Sequence, residues 1–243
     1  MPDVCLVLPC FNEASRLRAD TFIDALRLEP RLSLCFVDDG SSDATAQVLS
    51  TLAAQARERI SIVRLPTNRG KAEAVRHGVQ TVWHSFAFVG YWDADLSTPL
   101  AELSGLLNTL ERRPHCAAAI GSRWRRLGSR IERNPVRHAG GRVFATLASL
   151  AVDLPVYDSQ CGAKVFRAET ARKVFAEPFI SRWCFDVELL ARLKRDAGHA
   201  AINDIIVEVP LGEWHEVGGS KLRPSHTIGM LLDLWRIRAQ YGR

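Results

Sequence analysis

Residues Leu32 to Asp43 read L-S-L-C-F-V-D-D-G-S-S-D. Leu32 to Val37 has the length and apolar content of a buried strand. The polar remainder reads as a turn that opens a helix, with Ser42 or Asp43 able to accept backbone N–H bonds at its start. The same order recurs on both sides. Upstream, Val4 to Leu8 is a short apolar run, followed by Pro9-Cys10-Phe11-Asn12-Glu13 and a helical stretch from about Ser15 to Leu28. Downstream, Ala44 to Arg59 places Val48, Leu49, Leu52 and Ala56 on one helical face, and Ile60 to Leu65 is a third strand. Asn68-Arg69-Gly70-Lys71 then leads into a helix marked by Ala72, Val75, Val79 and Val82. Phe86 to Trp92 is a fourth strand that ends on Asp93-Ala94-Asp95. Thr98-Pro99 gives a cap and first helical residue to a helix carrying Leu100, Leu103, Leu107 and Leu110. Ala117 to Ile120 is a fifth strand, followed by Gly121-Ser122-Arg123.

Strands alternating with helices predict an α/β fold of Rossmann-like type, with a mainly parallel central sheet flanked by helices. Ligands of such sheets sit beyond the carboxyl ends of the strands, where these polar segments fall. Each segment has a bland reading as a turn, cap or surface loop. Their recurrence at the same end of successive strands makes chance the weaker account.

The residue types suit a nucleotide diphosphate donor. Asp93 and Asp95 are hard oxygen ligands for Mg²⁺ or Mn²⁺, which neutralises a departing diphosphate. Asp38 or Asp39 can accept hydrogen bonds from a base N–H or ribose hydroxyls, and Lys71, at a helix start, adds positive charge near phosphates.

Composition narrows the class. The 243 residues are 47% hydrophobic and 24% charged, enough for a buried core, and are read as a single domain spanning 1–243. The net charge of +5 favours an anionic partner. The six cysteines include no C-x-x-C pair, so reduced thiols are expected, with Cys161 and Cys184 filling core rather than acting as nucleophiles. No run reaches membrane-spanning length and no secretory leader is evident, which points to a cytoplasmic protein.

Taken in order, P-C-F-N-E, V-D-D-G-S-S-D, N-R-G-K, D-A-D-L-S-T-P and G-S-R resemble the family-2 glycosyltransferases of GT-A fold. Asp158 to Arg167 (D-S-Q-C-G-A-K-V-F-R) and Arg182 to Leu190 (R-W-C-F-D-V-E-L-L) narrow the resemblance to the dolichyl- or polyprenyl-phosphate glucosyltransferase and mannosyltransferase branch. Trp214 to Lys221 (W-H-E-V-G-G-S-K) fits the glucosyl type better. The resemblance covers nearly the whole chain, and it implies a nucleotide-sugar-binding half at 1–122 and an acceptor-side half at 123–243 with a C-terminal helix. It implies nucleoside binding by Pro9, Asn12, Glu13, Asp38 and Asp39, and metal and diphosphate binding by Asp93 and Asp95. It places Arg123 at a donor or acceptor phosphate and makes Asp158 the acceptor-side catalytic carboxylate. Asp186 is a second catalytic candidate, with helix capping or salt bridging its equal alternative. The mannosyl branch tends to carry Gln where this chain has Ser97, which weakens a third metal ligand and a mannosyl assignment.

The implied reaction is inverting transfer of a hexose, with UDP-glucose the favoured donor and GDP-mannose the alternative, to a polyprenyl or dolichyl phosphate. Such an acceptor needs little base catalysis, because its second ionisation lies near pH 6. A hydroxyl acceptor on a sugar, lipid or protein is the enzymatic rival and would require Asp158 as a true base. A nucleotidyltransferase lacks its Gly-rich start here, and a non-catalytic nucleotide-sugar or membrane-adaptor module would not need Asp93, Asp95 and Asp158 together. Seven arginines between Arg123 and Arg142, with His138 among them, read by default as a solvated basic loop. Their position favours a surface that faces lipid phosphate on an anionic membrane, with the protein peripheral on its inner face. No helix-turn-helix, zinc or stacking signature accompanies them, so no nucleic-acid partner is expected. The helix expected over Ser225 to Tyr241 is apolar on more than one side, fitting core packing, dimer contact or membrane docking.

Overall fold

The computed structural model describes residues 3–197, 202–217 and 226–242, with the backbone alone at 135–138, 203 and 226–228. The first elements are β1 (Val4–Cys10), α1 (Ala19–Leu28), β2 (Leu32–Asp39), α2 (Thr45–Gln55), β3 (Ile60–Leu65) and α3 (Lys71–Val82). Next come β4 (Phe88–Trp92), α4 (Leu103–Arg112), β5 (Ala118–Ser122), β6 (Arg130–Glu132), α5 (Pro135–Val152) and β7 (Ala163–Arg167). The chain continues through α6 (Ala168–Val174), α7 (Phe185–Ala197), α8 (Ile202–Ile205), β8 (Ile206–Pro210), β9 (Glu213–His215) and α9 (His226–Tyr241). Two compact units result, one of Met1–Leu96 with Gly162–Pro178, the other of Ser97–Cys161 with Phe179–Arg243.

In the first unit the strands lie in the order β3-β2-β1-β4-β7. The first four run parallel, and β7 returns antiparallel along β4, pairing Trp92 with Ala163 and Phe88 with Arg167. Every residue of β2 and of β4 is buried, as expected of parallel strands covered on both faces. Register carries functional weight here. Cys10 pairs with Asp38, and Asp38 with Arg64, so the carboxyl ends of β1, β2 and β3 finish in step. Gly78 lets α3 approach the sheet, since a Cβ there would stand 2.4 Å from a Val7 methyl.

Gly40, in the turn after β2, has φ +68°, and a Cβ on it would lie 2.6 Å from the Thr67 carbonyl carbon. Backbone conformation and backbone contact both exclude a side chain. Gly40→Ala is expected to destabilise the protein by about 2 kcal/mol, the combined effect of left-handed strain and displaced backbone. A thermal melt measures this; an unchanged melting temperature would mean that the 67–68 loop yields freely.

The second unit holds β5 and β8 as a parallel pair, with Ser122 opposite Pro210, and the short parallel pair β6 and β9. Helix α9 turns Leu234 and Ile237 inward and leaves Leu231, Leu232 and Trp235 exposed, resolving its two apolar sides into an inner and an outer face. On α5, Val143, Leu147 and Leu150 are exposed along one face.

Several boundaries move from the sequence expectation for local reasons. The helix expected from Ser15 starts at Ala19, because Arg16 and Leu17 donate back to the Glu13 carbonyl in a turn. The helix expected to reach Arg59 stops at Gln55, where Ala56 leaves helical geometry at φ −147°. Pro99 is extended (ψ 143°), so Leu100–Glu102 forms a 3₁₀ turn and α4 begins at Leu103. A further 3₁₀ turn at Trp83–Ser85 delays β4 to Phe88. The basic segment is not simply a loop: it contributes Arg130–Glu132 to a ladder and opens α5 at Pro135. All six cysteines are buried and reduced, and burial raises the Cys35 thiol to about 11 and the Cys184 thiol to about 12, which suits core filling. Residues 218–225, including Gly218 to Lys221 of the late motif and Ser225, lie outside the described residues. No described helix is long and apolar enough to cross a membrane.

Candidate active site

In the first unit, hydrogen bonds tie together the loops after β1, β2, β3 and β4. Asn12, in the left-handed region at φ 51°, donates its N–H to the Ser41 hydroxyl (3.1 Å) and accepts from the Ser42 N–H (2.9 Å). Glu13 donates its N–H to the Thr45 hydroxyl (2.8 Å), and its carboxylate takes two bonds from Arg16 (2.6 and 3.0 Å). Asp43 accepts from the Thr45 and Ala14 N–H groups; the Thr45 hydroxyl bond leads the causes that lower its pKa. The N-cap of α2 is Ala44, without a side-chain cap; of Ser42 and Asp43 it is Asp43 that accepts a backbone N–H there, and it also fastens the β1 loop to the β2 loop. Pro9 lies on β1 opposite Val37.

Asp38 and Asp39, both buried, divide their work. Asp38 accepts the Ser41 N–H (3.0 Å) and shapes its own turn. Asp39 accepts the Arg69 and Gly70 N–H groups (2.7 and 2.8 Å), so its carboxylate fixes the loop after β3. That loop ends at Lys71, the first residue of α3, whose ammonium reaches Asp93 at 2.6 Å. Asp95 approaches Arg16 at 3.9 Å and closes the circuit. The side chains of Asp93 and Asp95 keep 32% and 25% of their surface, enough for both to meet a ligand. Gly162 makes room for the first of them, since a Cβ there would fall 1.9 Å from an Asp93 carboxylate oxygen.

The second unit carries a different cluster. Arg123, just past β5, grips Asp158 with its side-chain fork (2.7 and 2.7 Å) and its own N–H (3.0 Å). Arg133 adds a contact at 3.3 Å. Burial pushes the Asp158 pKa up, but the Arg123 charge and hydrogen bonds, with Arg133 behind them, overcome it and hold the pKa at about 2. Asp158 is therefore an ionised, fully engaged carboxylate and a very weak base. Its position is built from below: Glu208 on β8 accepts the Tyr157 and Asp158 N–H groups (both 2.8 Å), and Arg142 stacks on Tyr157 at 3.8 Å. Asp186 sits buried in the first turn of α7, where a negative charge complements the helix dipole.

Arg133, Glu208 and Trp214 were not singled out by the sequence. Arg133 was one of seven arginines, and Trp214 stood in a late motif without an assigned role. The usable signal for Glu208 was a lone acid inside the apolar run I-I-V-E-V-P. Among the described residues no three His, Cys, Asp or Glu side chains gather as a metal-ligand set.

Residues 5–175 match the glycosyl transferase family 2 model. A dolichyl-phosphate beta-glucosyltransferase of Trichomonas vaginalis is 33% identical over 247 residues, covering 95% of this chain and 69% of that protein. The human dolichyl-phosphate beta-glucosyltransferase is 29% identical over 262 residues, covering 97% of this chain and 75% of that protein. Among solved structures, glucosyl-3-phosphoglycerate synthase of Mycobacterium tuberculosis, in complex with Mn²⁺, UDP and glucosyl-3-phosphoglycerate, superposes with a TM-score of 0.68 at 20% identity. That match covers 98% of this chain and 80% of the synthase and bears on the fold. The chain belongs to glycosyl transferase family 2 and is a glycosyltransferase of GT-A fold.

Proposed function

We propose that this enzyme transfers glucose from UDP-glucose to the phosphate of a polyprenyl or dolichyl phosphate, with inversion at the anomeric carbon. The observation that carries the reading is the state of Asp158, an ionised carboxylate with a pKa of about 2, bound by Arg123 and flanked by Arg133. A hydroxyl acceptor needs a base to remove its proton, and this carboxylate is too weak for that work. A phosphate acceptor arrives already anionic and needs cationic donors to orient it, which two arginines supply. The relatives' dolichyl-phosphate glucosyl transfer supports the same acceptor and sugar.

On the donor side, Asp93 and Asp95 suit a divalent cation, Mg²⁺ or Mn²⁺. Both are hard oxygen donors with exposed surface, and the missing side chain at Gly162 leaves the Asp93 carboxylate its place. Two carboxylates leave further coordination positions to phosphate oxygens and water. When bound, the cation would stabilise charge on the departing UDP. Lys71 adds a fixed positive charge beside Asp93, and the loops braced by Asn12, Glu13, Asp38 and Asp39 would receive the nucleoside. Asp158 orients the acceptor arginines. Asp186, buried in the first turn of α7, is proposed as a second carboxylate on the acceptor side.

Exposed Val143, Leu147 and Leu150 on α5, with Leu231, Leu232 and Trp235 on α9, support peripheral contact with a membrane, proposed here as its cytoplasmic face. Competition between a short polyprenyl phosphate and the corresponding alcohol tests the acceptor. Only the phosphate should be glucosylated, and the acid limb of kcat/KM should fall near pH 6 with the acceptor's second ionisation. Turnover of the alcohol with a limb that moves on Asp158→Asn would overturn the reading.

A further inference from the structure

Trp214 occupies the middle of β9, opposite Ile131 of β6. The guanidinium carbons of Arg123 and Arg133 lie 5.4 and 5.3 Å from its ring centroid. Both arginines also contact Asp158. The two guanidinium charges repel each other, and the indole π-surface attracts both.

The backbone around Trp214 is pinned on each side. Glu102, in the turn before α4, accepts the Gly212 and Glu213 N–H groups, both at 2.9 Å. The His215 N–H donates to the Ser97 carbonyl at 2.8 Å, and the Arg130 N–H to the Gly212 carbonyl at 2.8 Å. A strand of three residues has little stability of its own, so these bonds fix where the indole stands.

We infer that Trp214 is a positioning residue that holds Arg123 and Arg133 together as a paired anion receptor for the acceptor phosphate, with Glu102 holding Trp214 in place. The inference rests on the reading of those arginines as acceptor ligands. It assigns the late tryptophan to acceptor affinity rather than to nucleotide or sugar binding.

Steady-state kinetics with UDP-glucose and a short polyprenyl phosphate test it, alongside thermal melts of each variant. Trp214→Leu keeps apolar bulk and loses the π-surface; acceptor KM is expected to rise about tenfold, equivalent to about 1.4 kcal/mol, while the UDP-glucose KM stays unchanged. Trp214→Phe restores a π-surface and should recover most of the lost acceptor affinity. Equal acceptor KM values for the Leu and Phe variants, or a donor KM rising in parallel, would overturn the inference. Should Trp214→Leu fail to fold, Glu102→Gln carries the test: acceptor KM rises severalfold at constant donor KM, and an unchanged acceptor KM overturns the role. Arg133→Gln separates the two claims. If it leaves acceptor KM unchanged, the phosphate reading itself fails; if it raises acceptor KM while Trp214→Leu does not, only the tryptophan's role is lost.

Discussion

Asp95→Asn is expected to lower kcat about a thousandfold, with the melting temperature close to that of the wild type. The carboxylate is partly exposed and its contact with Arg16 is long, at 3.9 Å, so that pair adds little to folding. Its proposed partner is the divalent cation, and losing one of two protein ligands removes several kcal/mol of leaving-group stabilisation, hence the thousandfold estimate. Asp93→Asn should be as damaging to turnover and should also release Lys71 from its 2.6 Å contact. The distinguishing measurement is titration of UDP-glucose by calorimetry with and without Mn²⁺. Wild type should bind more tightly with metal, and Asp95→Asn should lose that increment. A variant that keeps both the increment and turnover would remove Asp95 from the metal site.

Asp158→Asn should act on stability and activity together. The substitution removes the Asp158 charge from Arg123 and Arg133 at a largely buried site, a loss of about 3 kcal/mol by analogy with broken buried pairs. Acceptor turnover should fall at least a hundredfold, about 2.7 kcal/mol in transition-state terms, because the arginine fork loses its anchor. The pH dependence has a definite sign. Asp158 has a folded pKa of about 2, below its unfolded value, so its stabilising contribution is fully present above about pH 4. It is lost as pH falls from there through 2. The stability gap between wild type and Asp158→Asn should therefore be widest near neutrality and narrow on acidification. A gap independent of pH down to 2 would show that the carboxylate's charge is not what holds the arginines.

The parallel half of the fold was legible because buried strands covered on both faces carry unbroken apolar runs. β3 is found at Ile60–Leu65 as read, and β1 and β2 begin where expected. β7 was hidden inside D-S-Q-C-G-A-K-V-F-R, where Lys164 is a charged residue that is 1% exposed within the sheet. Antiparallel return along β4 also needs Gly90, since a Cβ there would lie 2.4 Å from the Lys164 carbonyl oxygen, and no local pattern marks such an approach. Site residues were legible by type and less so by duty. Asp38 and Asp39 are adjacent and alike in sequence, yet Asp38 shapes its own turn and Asp39 braces the loop of Arg69 and Gly70, thirty residues away. That division follows from strand register, which a single sequence does not state. The state of Asp158 was likewise out of reach, because its pKa depends on Arg123 and Arg133 arriving from separate segments.

Incubating the enzyme with UDP-glucose, a short polyprenyl phosphate and Mn²⁺, then reading the lipid by mass spectrometry, decides whether glucose reaches the lipid phosphate. The expected product is a polyprenyl phosphate one hexose heavier, absent without divalent metal and absent with Asp95→Asn. Glucosylation of polyprenol, free glucose as the sole product, or metal-independent transfer would contradict it.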